Sequence, residues 1–291
     1  MKNKQALVVE GGAMRGVFAS GVLDAFLEQE HQPYGAAFGV SAGASNLIGY
    51  LANQPKRSID VITKMATTKE FFNIKRAISG GNLADVKWLW EQSKAQYPID
   101  NKELYSSMPF YVAVTNIHNG QAEYHRITPI NVDRVMEATA ALPMIYKDTP
   151  CFDNSCYTDG GVADSIPVME AYRQGYRDIT VVLSRPLNFE MKPVKYPRLV
   201  KALFSKNPSL VQAMLLREKK YNASIEFIRN PPPGTKVRVI APPSTYAVKR
   251  LTMDKDILWQ GYEMGVEEGN KHLLALKNLS GLTSDNCHFC Y

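Results

Sequence analysis

Apolar positions in the first fifty residues alternate between two spacings. Gln5 to Glu10, QALVVE, is a short β-branched run that stops at Gly11-Gly12, as a buried strand does when it feeds a tight loop. Val17, Phe18, Val22, Leu23, Phe26 and Leu27 then recur at helical intervals and predict a helix over 16–27. Pro33 to Phe38 predicts a second strand, and Ala44 to Leu51 a second helix. Strand, helix, strand, helix points to the α/β class, with a mainly parallel sheet flanked by helices. Such sheets carry their working loops at the carboxyl ends of the strands. The Gly-rich stretches 11–16 and 39–43 both fall there.

Residues 56–107 read as largely helical, with Trp88 and Trp90 in packing roles. Phe110–Asn116 and Ala122–Ile127 flank Asn119-Gly120, which predicts a hairpin closed by a type I′ turn. Further predicted elements are a helix over 132–142 stopped by Pro143, a buried strand over 178–184, and a helix from Asn207-Pro208 to about Arg229. Lys236–Ala241 predicts a last strand, and 254–276 a closing amphipathic helix. With no linker-like stretch and no internal repeat, residues 1–291 read as one domain.

The composition, 45% apolar and 21% charged, supports a large core and excludes a disordered majority. No run approaches the roughly 18 apolar residues of a spanning helix. The amino terminus has no apolar leader segment, so a cytoplasmic location is expected. The net charge of +6 favours anionic surfaces, either nucleic acid or phospholipid headgroups, but no nucleic-acid motif accompanies it. Cys151, Cys156, Cys287 and Cys290 form two close pairs. A zinc site or redox pair is weighed against free thiols in a reducing compartment, and free thiols are expected.

The candidate chemistry centres on Gly39-Val40-Ser41-Ala42-Gly43, a Gly-x-Ser-x-Gly sequence between a strand and a helix. Gly39 and Gly43 are expected to ease a strained turn that presents Ser41 beside a helix amino terminus. A small-residue packing turn is the plainer alternative. An α/β-hydrolase order would use Ser41, Asp159 and His272, but only one strand precedes the elbow strand, and His272 reads as part of a solvated helix face. His31, His118, His125 and His288 are no better placed. Asp159, followed by Gly160-Gly161, is then the candidate base, because burial in an apolar site would raise its pKa. A turn aspartate is its structural alternative. Glu10-Gly11-Gly12-Ala13-Met14-Arg15-Gly16 leads from a strand end through a loop into a helix, so its N–H groups can converge on negative charge. The third position of a dinucleotide fingerprint is Ala13 here, and no P-loop Gly-Lys-Ser/Thr occurs, which argues against nucleotide binding.

GGAMRG, GVSAG and DGG in this order resemble the patatin-like phospholipase family, with further similarity in VTNIHNG, EATAALP and DGGVADSIP. The likeness runs over about 5–185, leaving 186–291 as a helical extension with the last strand and closing helix. It implies a three-layer α/β sandwich and a lipid acyl hydrolase that needs no metal or cofactor. Ser41 would be the nucleophile, Asp159 the base, and Gly11, Gly12 and Ala13 the oxyanion hole, with Arg15 positioning that loop. Gly16, Gly39, Gly43, Gly160 and Gly161 complete the motifs. The family usually has a third glycine where this chain has Ala13; a positive φ there would be strained.

The implied substrate is a lipid or other carboxylic ester; a small-ester esterase and a catalytically silent acyl-chain binder on the same fold are the alternatives. Met14, Phe18, Met144, Ile145 and Tyr146 flank the motifs and are candidate pocket walls. Over 191–220, eight basic residues (Lys192, Lys195, Arg198, Lys201, Lys206, Arg217, Lys219 and Lys220) accompany one acid, Glu218, and several apolar residues. That pattern fits peripheral contact with an anionic membrane, or else a solvated helix pair.

Overall fold

The computed structural model describes residues 5–280, with side chains to Asn278. The strands are β1 (Gln5–Val9), β2 (Ala36–Val40), β3 (Phe110–Asn116), β4 (Ala122–Arg126), β5 (Cys151–Phe152), β6 (Ser155–Asp159), β7 (Asp178–Val182) and β8 (Lys236–Ile240). The helices are α1 (Val17–Glu28), α2 (Ala42–Leu51), α3 (Arg57–Lys64), α4 (Ile74–Ile78), α5 (Val86–Gln96) and α6 (Asn101–Ser107), then α7 (Val132–Ala140), α8 (Val168–Arg173), α9 (Pro197–Leu203), α10 (Pro208–Arg229) and α11 (Lys255–Ser280). One sheet runs β5-β6-β3-β2-β1-β7-β8, with β4 also paired to β3. From β3 to β8 the neighbours are parallel, as the alternating elements of the first fifty residues imply.

Side-chain alternation along the buried strands divides the core between two faces. Leu7, Val9, Ala37, Val112 and Val114 pack with residues of α1, α2 and α7 on one side. Ala6, Val8, Ala36, Phe38, Ile179 and Val181 pack with Val168 and Ala171 of α8 and with Tyr221, Ile225 and Ile228 of α10 on the other. The result is the three-layer α/β sandwich.

β3 is the branching strand. Ala113 is paired with both Val40 of β2 and Tyr124 of β4, and Val114 with both Glu123 of β4 and Asp159 of β6. Since a strand has two edges, β2 and β6 share the edge opposite β4. They run in opposite senses and meet head to head at Ala113 and Val114.

Several local expectations change. β2 starts three residues later than predicted, at Ala36, and runs directly into Ser41. The β3–β4 hairpin forms, but its loop spans 117–121 and only Gly120 takes a positive φ there, so it is not a two-residue type I′ turn. Asp153 and Asn154 both take positive φ, and they link β5 to β6 as a two-residue turn of the kind expected at Asn119-Gly120. Cys151 and Cys156 face each other in that hairpin as a disulfide, not as free thiols. Cys287, Cys290 and His288 lie outside the described residues.

α11 closes the fold against α1. A Cβ on Gly21 would lie 2.1 Å from the Tyr262 carbonyl oxygen, and one on Gly265 would lie 2.0 Å from that of Phe18, so the two backbones touch. His272 is buried at this interface with its ring centroid 5.8 Å from that of Phe26, contrary to a solvated face, and burial lowers its pKa to about 4. No helix among the described residues is long and apolar enough to cross a membrane.

Candidate active site

Ser41 sits between β2 and α2 with φ 51° and ψ −125°. That is a sparsely populated conformation, costing on the order of 1–3 kcal/mol and sustained only by surrounding structure. The surrounding structure is specific: the Ser41 N–H donates to Thr139 Oγ1 at 2.9 Å, and the Thr139 hydroxyl donates to the Ala113 carbonyl at 2.6 Å. The strain is carried by the serine itself. Gly39 and Gly43 lack positive φ and serve close approach instead: a Cβ on Gly43 would lie 2.5 Å from the Val9 carbonyl oxygen, and one on Gly39 would lie 2.7 Å from Ala44 Cα.

Asp159 ends β6, opposite Val114, one step along β3 from the partner of Val40. The Gly161 N–H donates to its Oδ1 at 2.7 Å. Its Oδ2 is buried and has no hydrogen-bond partner among the described residues. Burial is the dominant influence and raises the Asp159 pKa, while the Ser41 hydroxyl, the Gly161 N–H, Arg217 and Arg250 pull it down. Gly160 must be glycine here, because a Cβ would lie 2.1 Å from the Ala113 carbonyl oxygen.

The 10–16 loop lies beside this pair, as a Cβ on Gly11 would come within 3.3 Å of Ser41 Cβ. The Gly11 N–H is engaged by the Ser165 carbonyl at 3.3 Å, and that of Met14 by the Arg250 carbonyl at 3.3 Å. Of the three predicted donors, Gly12 and Ala13 keep N–H groups with no intramolecular acceptor among the described residues. Ala13 adopts φ 51°, the strained alternative foreseen for an alanine. Arg15 is buried, its Nη2 donating to Ser184 Oγ at 3.4 Å and its carbonyl accepting from Tyr246 Oη at 2.7 Å. Gly16 lies against Ala42, tying this loop to α2.

An apolar cleft opens from Ser41, lined by Ile62, Phe71, Leu89, Trp90, Met136 and Leu142 among others. Of the predicted walls, Met14 and Ile145 line it. Phe18 is instead in the α1 core, Met144 is 59% exposed, and buried Tyr146 donates to Glu137 Oε1. No histidine lines the cleft, and no cluster of metal-ligating side chains occurs among the described residues.

Comparison with known proteins gives the family. Residues 7–172 match the family described as patatin-like phospholipase. The chain belongs to the patatin-like phospholipase family. The patatin-like match is followed, over residues 207–281, by a match to a domain of unknown function (DUF6363). The chain is 32% identical to the uncharacterized protein YjjU of Escherichia coli strain K12, over 89% of this chain and 74% of that one. Solved structures with some likeness include VipD from Legionella pneumophila, at 14% identity and TM-score 0.46, covering 94% of this chain and 67% of that one. Another is human GIVD cytosolic phospholipase A2, at 11% identity and TM-score 0.43, covering 94% of this chain and 59% of the human one. Membership of the patatin-like family implies a lipid substrate and hydrolytic chemistry.

Sequence reasoning missed three contributors to the site. Glu10 is 1% exposed; burial raises its pKa, and its Oε2 accepts the Ser184 N–H at 2.6 Å. An acid at the end of an apolar strand was the available signal. Thr139 lies in EATAALP with nothing in its spacing to mark it. Arg217, predicted as part of a membrane-facing segment, turns inward: its Nε donates to the Gly161 carbonyl at 2.6 Å and its Nη2 to Ser165 Oγ at 3.4 Å.

Proposed function

We propose that Ser41 and Asp159 form a catalytic dyad that hydrolyses carboxylic ester bonds of lipids through an acyl-enzyme. The observation carrying this reading is the head-to-head junction of β2 and β6 on β3, which delivers a strained serine to a buried carboxyl beside an apolar cleft. Ser41 Oγ attacks the ester carbonyl carbon as Asp159 takes its proton, and the Gly12 and Ala13 N–H groups face the oxyanion. The ester C–O bond breaks, and the leaving alcohol recovers the proton from Asp159. A water molecule then gives a proton to Asp159 and attacks the acyl carbon; Ser41 leaves and takes that proton, releasing the fatty acid. The cleft is the acyl-chain site.

A catalytically silent acyl-chain binder is the second reading, favoured by the positive φ of Ala13 in the donor loop. A fluorophosphonate probe separates the two. Covalent labelling of Ser41, lost in Ser41→Ala, supports the hydrolase; intact protein that excludes the probe supports the binder.

This reading treats the chain as one domain, since β8 and α11 complete the sheet and its cover. It also narrows the membrane contact to the stretch around α9. Tyr196, Leu199 and Leu203 are each more than half exposed there, beside exposed Lys192, Lys195, Arg198 and Lys201. Flotation with vesicles that carry anionic lipid, but not with neutral ones, is the expected behaviour; equal flotation contradicts it.

A further inference from the structure

Four arginines border the loops that carry Ser41 and Asp159. Arg15 is in the 10–16 loop, with Nη2 on Ser184 Oγ. Arg185 follows Ser184, and its guanidinium stacks over the Phe189 ring at 3.9 Å. Arg217 reaches from α10 to the Gly161 carbonyl and Ser165 Oγ. Arg250 holds the Met14 N–H on its own carbonyl and lines the cleft that contains Ser41.

These groups feel one another. Arg185 and Arg250 both depress the pKa of Arg15, which burial and this repulsion together bring to about 10, and both also depress that of Arg217. Arg217 and Arg250 both act on Asp159. None of the four has an ion pair within 4.0 Å among the described residues, whereas Arg173 and Arg238 elsewhere in the fold do. The carboxyls that act on Arg15 and Arg217 are Glu10 and Asp159, whose burial favours the neutral form of each. Guanidiniums that act on one another and lack an ion pair are what a phosphate oxyanion satisfies, through paired charge-assisted hydrogen bonds.

Arg217 and Arg250 lie inside the 207–281 region of unknown function, and Arg185 lies beyond the 7–172 match. We propose that this carboxyl-terminal region completes the active site by supplying a phosphate-binding subsite, formed by Arg185, Arg217 and Arg250 with Arg15 behind them, for a phosphate carried on the alcohol side of the substrate ester. The apolar cleft takes the acyl chain, and the arginine group takes the anionic end. The inference rests on the proposed hydrolase reading. It assigns the selectivity for phosphate-bearing over neutral esters to residues outside the motif-bearing half.

The test compares kcat/KM of the full-length protein for two esters of one acyl chain, a lysophospholipid and a neutral monoacylglycerol. In Arg250→Gln the lysophospholipid-to-monoacylglycerol ratio is expected to fall by about tenfold or more, the loss of a charge-assisted bidentate contact. Arg250→Lys is expected to restore part of it. Equal loss on both esters, with the ratio unchanged, means a structural role and overturns the proposal. An unchanged ratio, with inorganic phosphate altering monoacylglycerol turnover in the native protein but not in Arg250→Gln, identifies a free-phosphate effector site and also overturns it. If the native protein turns over neither ester, the hydrolase reading fails by itself. The subsite is then judged by calorimetric binding of glycerophosphocholine: binding lost in Arg250→Gln sustains it, and no binding to the native protein overturns it.

Discussion

Val40 and Asp159 occupy consecutive places on one edge of β3, opposite Ala113 and Val114. Ser41, the next residue after Val40, is thereby held next to a carboxyl 118 positions away in the chain. The hydroxyl of Thr139 locks the junction, accepting from the Ser41 N–H while donating to the Ala113 carbonyl.

Thr139→Val removes both bonds in a fully buried place and frees the strained serine from its anchor. A stability loss of about 1–3 kcal/mol is expected for the unsatisfied groups. The kcat is expected to fall by about tenfold or more through misplacement of Ser41, with KM nearly unchanged. Steady-state kinetics beside denaturant melts check both.

Asp159 must be ionised to accept a proton, and burial raises its pKa above the ordinary value of 3.8. Activity is therefore expected to rise with pH along an acidic limb displaced above that value. Arg217 pulls the pKa down, so Arg217→Gln should move the limb further toward neutral pH. A pH–rate profile of kcat/KM measures the displacement; a shift to lower pH contradicts it.

Asp24 is buried between α1 and α11, accepting from Tyr262 Oη at 2.9 Å and from the Lys56 N–H at 3.0 Å through the same oxygen. Burial raises its pKa from 3.8 to about 6. A carboxyl raised on folding favours the folded state below pH 3.8, and that contribution is lost as the pH rises through 6. The substitution Asp24→Asn keeps an accepting oxygen and removes the charge. It is therefore expected to gain stability relative to the native protein as pH goes from 4 to 7, on the order of 2–3 kcal/mol. Thermal melts across that range test it.

Ala13 at φ 51° carries a side chain where glycine is unstrained. Ala13→Gly relieves about 1–2 kcal/mol of local strain, offset in part by the greater freedom of glycine in the unfolded chain. A stability change within about 1 kcal/mol with undiminished esterase activity is the expected result.

Sequence patterns revealed the parallel half of the fold because its signals are local. β1, α1, β2 and α2 each repeat their own apolar spacing, and the glycine loops between them mark where the sheet works. The junction of β2 with β6 depends on long-range pairing through β3, so no local spacing announces that Ser41 meets Asp159; the motif resemblance pointed to the pair without its geometry. The β5–β6 hairpin escaped because two-residue β5 has no period, and its Asp153-Asn154 turn lacks glycine. Arg217 was misread for a related reason. Charge along α10 says how basic the helix is, whereas the inward face is chosen by packing, which also buries Tyr221 one turn later beside Glu10 and Arg15.

The proposed chemistry rests on one serine and one carboxylate. The most direct measurement is kcat/KM for p-nitrophenyl ester hydrolysis by purified Ser41→Ala and Asp159→Asn proteins with native-like circular dichroism. A fall of at least about a thousandfold in each is expected for members of one catalytic unit. Native turnover in either folded variant contradicts the account.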